Sequence, residues 1–346
     1  MPDPSFNFRY TTMEDVARAC GVTKKTVSRV FAGSAAVKAS TREKVLEAAK
    51  RLNYEFNTLA QNFSAKRSRF IGVATAFNQL AGTSYFGELI RGFASVLNET
   101  EMDLALFDTD TDSFNHGEKL AKLYRQRRVD GLLVVAPHTY DRFLDTLEKL
   151  HVPMIVVGVQ PSCRDVCSVS YDDVRGIQLI CSHLYGLGHR RIAFVAGPAF
   201  VTTSEHRKQA YADFCREKRL ECPPEYLQPG SFSIQTGREA ARYLLALQPR
   251  PSAIVAGNDL MALGVIEVAR DLGLRVPEDI SVAGFDDLPV GGERPLRLTT
   301  IHTPVVEMGQ RSALILINAL RQGKLPAGNT VLDVSLVERQ STAQVT

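Results

Sequence analysis

Five side chains able to hydrogen-bond, Lys24, Lys25, Thr26, Ser28 and Arg29, alternate with apolar Val27, Val30 and Phe31 at helical spacing. Cations and hydroxyls on the outer faces of a short helix suit phosphate oxygens and base edges, and the apolar positions give that helix something to pack against. The elements that must position them are written on either side. Thr12 is placed to cap a first helix and Asp15 to complement its positive end; Val16, Ala17 and Cys20 form its buried stripe, and Gly21 supplies the left-handed residue that ends it. Thr23 then caps the second helix. This predicts a helix-turn-helix; an amphipathic hairpin with a solvated basic face is the plainer alternative.

Ser40-Thr-Arg-Glu43 predicts a capping box opening a third helix, with Val45, Ala49 and Leu52 on one face. Asn57 caps a short segment, 58–65, that leads into Lys66-Arg67-Ser68-Arg69 and is too short to stand as a helix except on DNA. From Phe70 onward apolar strands alternate with amphipathic helices. The expected strands are 71–76, 104–107, 131–136, 154–158, 192–196, 253–256 and 280–284; the expected helices are 86–97, 117–127, 174–185, 205–218, 237–247, 259–272 and 305–320. Such alternation predicts an α/β body of parallel sheets covered on both faces. Its two sets of units, divided near 161–165, predict two lobes with a cleft at the carboxyl ends of the strands. The expected domains are an all-α head (1–56), a hinge helix and linker (57–69) and the two-lobed body (70–346).

The 346 residues are 45% hydrophobic with a net charge of +3, but that charge is unevenly distributed. Residues 1–69 hold thirteen basic and six acidic side chains, net +7, leaving 28 against 32, net −4, for the rest. A basic head on an acidic body is the pattern of a nucleic-acid-binding module joined to a larger domain that does not bind phosphate. No apolar run approaches the ~20 residues of a membrane span, and 1–10 lacks the basic start and apolar centre of a signal peptide, so no membrane partner and a cytoplasmic location are expected. The six cysteines contain no C-x-x-C pair and are expected to be reduced thiols. The spacing of Cys163, Cys167, Cys181 and His183 suits no common zinc site, so no metal or other cofactor is expected. Nor is an enzyme expected: phosphate-binding loops and H-E-x-x-H are absent, and neither His189 nor His302 has an evident nucleophile partner.

The ordered motifs resemble the LacI (lactose-repressor) family of bacterial transcriptional regulators from Thr12 to Thr342. In the head these are Asp15-Val-Ala, Gly21-Val-Thr, Thr26-Val-Ser-Arg-Val and Thr41-Arg-Glu-Lys-Val; in the body, Arg128-Val-Asp-Gly131, Leu187-Gly-His-Arg-Arg-Ile-Ala193, Asn258-Asp-Leu-Met-Ala-Leu-Gly264, Val276-Pro-Glu-Asp-Ile-Ser-Val282, Gly284-Phe-Asp-Asp287 and Leu298-Thr-Thr300. The resemblance implies a repressor that binds a near-palindromic double-stranded operator as a homodimer, with a periplasmic-binding-protein-like body whose small-molecule effector alters DNA affinity. A dimer rather than a tetramer is expected, because only four residues follow Arg339-Gln-Ser-Thr342.

By position the resemblance implies base contacts from Lys24, Lys25 and Arg29, and backbone contacts from Thr23, Thr26, Ser28 and Tyr54; phosphate contact or solvated charge stays open for the two lysines. The hinge departs from the family, with Phe56 before the cap and Phe63 where a leucine enters the minor groove. Asn62 and Phe63 are the expected minor-groove residues, Phe63 being either a wedge at a base step or a dimer-packing aromatic. In the body Tyr85, Phe86, Asp172, Arg207, Phe232, Asn258 and Asp286 match effector-facing positions, near a loop at 79–82 longer than is usual. Carboxylates, an amide, a forked guanidinium and aromatic faces suit a sugar or sugar derivative. Asp172, Asn258 and Asp286 have a second reading as helix caps. A purine-type corepressor is the alternative ligand, and a solute-binding protein without DNA function the alternative class.

Overall fold

The computed structural model describes residues 11–55, 68–80, 83–109, 116–137, 143–160, 166–289 and 297–345, and the chain divides into two compact units, Met1–Ser68 and Arg69–Thr346. In the first, α1 (Met13–Cys20) opens on a full capping box, Thr12 and Asp15 each bonding the other's backbone, and ends at Gly21 with φ 68°. Helix α2 (Lys24–Phe31) is capped by the Thr23 hydroxyl, which accepts from the Thr26 amide. The box expected at Ser40 to Glu43 does not form. Helix α3 (Ala39–Arg51) starts earlier, with Lys38 at its cap position and no side-chain cap bond, so Ser40 already lies within the first turn. Arg42 instead donates to the carbonyls of Val30 (3.1 Å) and Ser34 (2.7 Å), tying α3 to the end of α2. Val16, Ala17, Val27, Val30, Val45, Ala48 and Ala49 form the core, with Cys20, Phe31 and Leu52 at its edge. Residues 56–67, and with them Asn57, Asn62 and Phe63, lie outside the described residues.

The second unit opens with β1 (Phe70–Thr75), a short turn of helix α4 (Phe77–Leu80), α5 (Ser84–Leu97), β2 (Asp103–Asp108), α6 (His116–Arg125), β3 (Gly131–Val135), α7 (Phe143–Lys149), β4 (Met154–Val157) and β5 (Ser168–Tyr171). Residues 77–80, partly expected as loop, are thus helical. The chain continues through α8 (Asp173–Gly186), β6 (Ile192–Val195), α9 (Thr202–Lys218), β7 (Leu227–Gln228), α10 (Ile234–Ala246), β8 (Ala253–Ala256), α11 (Asp259–Asp271), β9 (Ser281–Ala283) and β10 (Thr300–His302). It ends with α12 (Val305–Gln322), β11 (Asn329–Leu332) and β12 (Ser335–Val337).

The first lobe is a parallel sheet in the order β11-β5-β4-β3-β1-β2 and the second a parallel sheet β7-β6-β8-β9, with β10 and β12 paired antiparallel beside it. Ser168–Tyr171 still pairs with β4, so the first crossing to the second lobe falls at Asp172, after the expected 161–165. The chain crosses twice more: α12 returns to the first lobe, which β11 completes, and β12 goes back to β10. All strand residues of β3, β4, β6 and β8 are buried, the pattern of sheets covered on both faces. Helices α5 and α12 cross at Gly92 and Gly309, where a β-carbon on Gly92 would run into the Val306 carbonyl. No helix among the described residues is long and apolar enough to cross a membrane.

Candidate functional site

Helix α2 keeps Val27 and Val30 inside the head and leaves Lys24, Lys25 and Arg29 exposed. Lys25 and Arg29, four residues apart, share a face one helical turn long. Lys24 reaches Glu14 on α1 at 3.1 Å, with both side chains more than half exposed, a pairing of low strength that an anion can displace. Thr23 and Thr26 hydroxyls meet at 3.0 Å at the amino end of the helix, where backbone amides and the macrodipole favour phosphate. Tyr54 packs edge-on against Phe31, ring centroids 5.7 Å apart, which fixes its position at the exit of the head. This exposed face holds three cations and three hydroxyls without a buried carboxylate beside them, and it can bind a polyanion.

In the second unit a cavity of about 130 Å³ lies between the lobes. Tyr85, Gly158 and Tyr171 come to it from the first lobe; Arg207, Phe232, Asn258, Asp259 and Asp286 come from the second. Arg207 is its centre. Its guanidinium is buried, with Nε donating to Asp173 at 2.6 Å, one terminal nitrogen to the Gly257 carbonyl at 2.5 Å and the other to the Tyr171 hydroxyl at 3.0 Å. Asp286 stands 3.7 Å from that last nitrogen, and the Phe285 ring lies 3.7 Å below the guanidinium carbon. One forked cation therefore serves three acceptors and an aromatic face.

The carboxylates outnumber their cation. Burial pushes Asp286 up to about 7, against the lowering effect of Arg207. Burial likewise raises Asp173 despite its Arg207 partner, and raises Asp259 well above the carboxylate range with Asp286 adding to the effect. Asp259 accepts from the Thr300 hydroxyl at 2.6 Å through one oxygen, while the other has no hydrogen-bond partner. Asp286 and Asp287 have φ of 118° and 55°. Such positive-φ backbone is strained for residues with a side chain. It is held by bonds from Thr303 to the Asp286 carbonyl and from Arg339 to the Asp287 carboxylate at 2.7 Å.

Two glycines let the aromatic rings close in. A β-carbon on Gly158 would sit 2.6 Å from the Tyr85 hydroxyl, and one on Gly197 would overlap the Phe232 ring. Phe232 itself has φ 60°, and its carbonyl accepts from the Asn258 amide at 3.1 Å. Asn258 meets both of its readings, since it caps α11 by accepting from the Met261 amide and also lines the cavity.

Of the seven effector residues expected from the sequence, the structure brings Tyr85, Arg207, Phe232, Asn258 and Asp286 together and leaves two outside. Phe86 points into the first-lobe core, edge-on to Phe77, because it follows Tyr85 on a helix and so faces about 100° away. Asp172 is the cap of α8, accepting from the Arg175 amide, and its neighbour Asp173 is the residue that reaches Arg207. Tyr171, Asp173, Asp259 and Gly158 are not among the expected residues. The adjacent pair Asp172-Asp173 at a strand end marks the place without saying which member turns inward. Among the described residues no cluster of His, Cys, Asp and Glu could hold a metal ion.

A family model for bacterial regulatory proteins of the lacI family matches residues 12–57, and one for a periplasmic binding protein-like domain matches 181–342. The chain is 32% identical over 332 residues to the ribose operon repressor of Escherichia coli (strain K12), covering 95% of this chain and 99% of that one. It is 30% identical over 338 residues to the HTH-type transcriptional repressor PurR of Mannheimia succiniciproducens, covering 96% and 99%. The structure of the lac repressor dimer bound to operator and the anti-inducer ONPF superposes with a TM-score of 0.83 at 30% identity, covering 97% of this chain and all of that one.

Proposed function

The chain belongs to the LacI family of bacterial regulatory proteins, and from that premise we propose that it is a transcriptional repressor controlled by a neutral, single-ring polyhydroxylated effector. It binds a near-palindromic operator as a homodimer in the cytoplasm and catalyses no reaction. The relatives are repressors by name, and the lac repressor neighbour is a dimer on its operator. In the head, Arg29 and Lys25 read base edges, with Thr23, Thr26, Ser28 and Tyr54 on the backbone and Lys24 exchanging Glu14 for DNA. Asn62 and Phe63 serve the minor groove.

The observation that carries the effector reading is the charge balance of the cleft. Asp259 and Asp286 line the cavity with a single cation among the described lining residues, Arg207, and that cation is already bonded by Asp173 behind it. A phosphorylated or carboxylated ligand would find the one guanidinium already engaged by Asp173 and would push against acidic groups that burial already keeps from ionising, whereas hydroxyls can bond to those carboxyls and lie against Phe232. A cavity of about 130 Å³ favours one ring over two. Phe86 and Asp172 are left out of this site, and Tyr171, Asp173 and Asp259 are taken in.

The test is a thermal-shift panel of pentoses, hexoses, disaccharides, sugar phosphates, sugar acids and nucleobases, followed by operator binding with each compound that raises the melting temperature. A neutral monosaccharide at a hundredfold excess over its dissociation constant adds about 2.7 kcal/mol. Stabilisation by nucleobases alone would establish the purine alternative, and stabilisation by sugar phosphates alone would overturn the charge argument.

A further inference from the structure

The carboxyl end of α9, eight residues beyond Arg207 on the same helix, carries a pair of side chains that do not line the effector cavity. Cys215 lies in the last turn of α9; Arg219 ends the helix in the left-handed region at φ 51°, and the Leu220 amide bonds back to the Cys215 carbonyl at 2.9 Å. This reversal brings Cys222 against Cys215, and their two sulfurs approach to 2.6 Å, inside ordinary nonbonded contact. Cys222 rests on the first residue of β6: its thiol is 3.6 Å from the Ile192 carbonyl, which also accepts from the Tyr211 hydroxyl at 2.8 Å. Cys222 is half-buried and Cys215 buried, so a small oxidant can meet Cys222 first with the second sulfur already behind it. Cys167 and Cys181 are buried, and Cys20 is in the head.

We propose that Cys215 and Cys222 form a modification site, a thiol pair that a hydroperoxide oxidises reversibly to an intramolecular disulfide. Charge placement supports the order of events. The hydrogen bond from Cys215 lowers the Cys222 thiol to about 7, while the same bond and burial raise Cys215, so Cys222 is the nucleophile. Its thiolate attacks one peroxide oxygen, the O–O bond breaks, and the leaving alkoxide, or hydroxide from hydrogen peroxide, takes up a proton as Cys222 becomes a sulfenic acid. Cys215 then attacks the Cys222 sulfur; the S–S bond forms, and the displaced hydroxide leaves as water with the Cys215 proton. Two electrons pass from the sulfurs to the peroxide. A dithiol reverses the bond by exchange.

The test uses the full chain, fully reduced, then treated with hydrogen peroxide, with thiols counted after denaturation and a tryptic map run without reductant. Arg216, Lys218 and Arg219 separate the two cysteines, so peptides 209–216 and 220–238 stay together only if they are disulfide-linked. We expect the count to fall from six thiols to four, the linked pair to appear, and dithiothreitol to restore six. Cys181→Ser should keep the linked pair; Cys215→Ser should lose it and leave a sulfenic acid at Cys222 that dimedone traps. Retention of all six thiols, linkage through Cys181, or sulfinic acid at Cys222 with Cys215 still free in the unmodified chain would each overturn the proposal. The wild-type map decides the matter even if a variant fails to fold.

Discussion

Asp286 combines a strained backbone, a largely enclosed carboxyl at the cavity wall and a shared cation, and its titration should be visible in the stability of the protein. Its carboxyl titrates at about 7 in the fold but near 4 in an unfolded chain. Between those values the folded chain binds a proton that the unfolded chain has released, so stability falls as pH rises through this window and levels off above it. Asp286→Asn, neutral throughout, should show a shallower loss of melting temperature from pH 5 to pH 8, with the residual slope coming from Asp173 and Asp259. Identical slopes in the two proteins would rule this out. Arg207→Ala should abolish the effect of the effector on operator binding. It also strands Asp173 and Asp286, at a cost of about 3 to 5 kcal/mol, read from the denaturation midpoint. Arg207→Lys keeps the charge but not the fork, and should recover part of the stability and little of the response. Arg207 is legible in the sequence only through the resemblance to the family, which places an arginine at that position; its residue type alone, next to Lys208 on an amphipathic helix, does not single it out. The exchange of Asp172 for Asp173 is not legible, since which of two adjacent carboxylates caps a helix depends on a backbone ψ that neither residue type dictates.

Elements depend on smaller devices. The Thr23 hydroxyl closes the amino end of α2, and Thr23→Ala should reduce the stability of the head by about 1 kcal/mol, seen as a lower melting temperature of a 1–69 fragment if that fragment folds, or as faster amide exchange in α2 within the full chain. A change confined to operator affinity would show that Thr23 acts on DNA and not on the helix. In the first lobe, Gly92→Ala would drive α5 off the Val306 carbonyl of α12; overpacking of this kind costs about 1 to 3 kcal/mol, and unchanged urea midpoints would contradict it. The long helices and the fully apolar strands are legible to within a few residues because their periodicity is carried by many positions. Ser168–Tyr171 escapes that pattern because alternating serines make a buried strand look polar, and β10, β11 and β12 escape it because each short strand holds no more than two apolar residues. Ser40 misleads for the opposite reason: a capping motif is only four letters, and the Arg42 anchor to Val30 and Ser34 sets where α3 begins.

At the scale of the whole molecule, charge is divided along the chain: +7 on residues 1–69 and −4 on the rest. Replacing Lys25 and Arg29 together by alanine should reduce specific operator binding more than binding to random DNA. The salt slope should also fall by up to about 2, one for each phosphate that the pair no longer neutralises. An equal loss of affinity on both DNAs would make the two side chains positioning groups only. The threefold crossing of the body has a different consequence, for the order in which the protein is made. Strand β11, residues 329–332, is an edge of the sheet that begins at Phe70, and α12 covers that sheet. The first lobe therefore cannot close until nearly the whole chain has left the ribosome, whereas β6 to β9 of the second lobe lie within residues 192–283 and can assemble earlier. On the ribosome the β7-β6-β8-β9 sheet can pair while the sheet encoded first still waits with an open edge for its last strand, and both lobes are completed only by the final residues, β11 on the first and β12 beside the second.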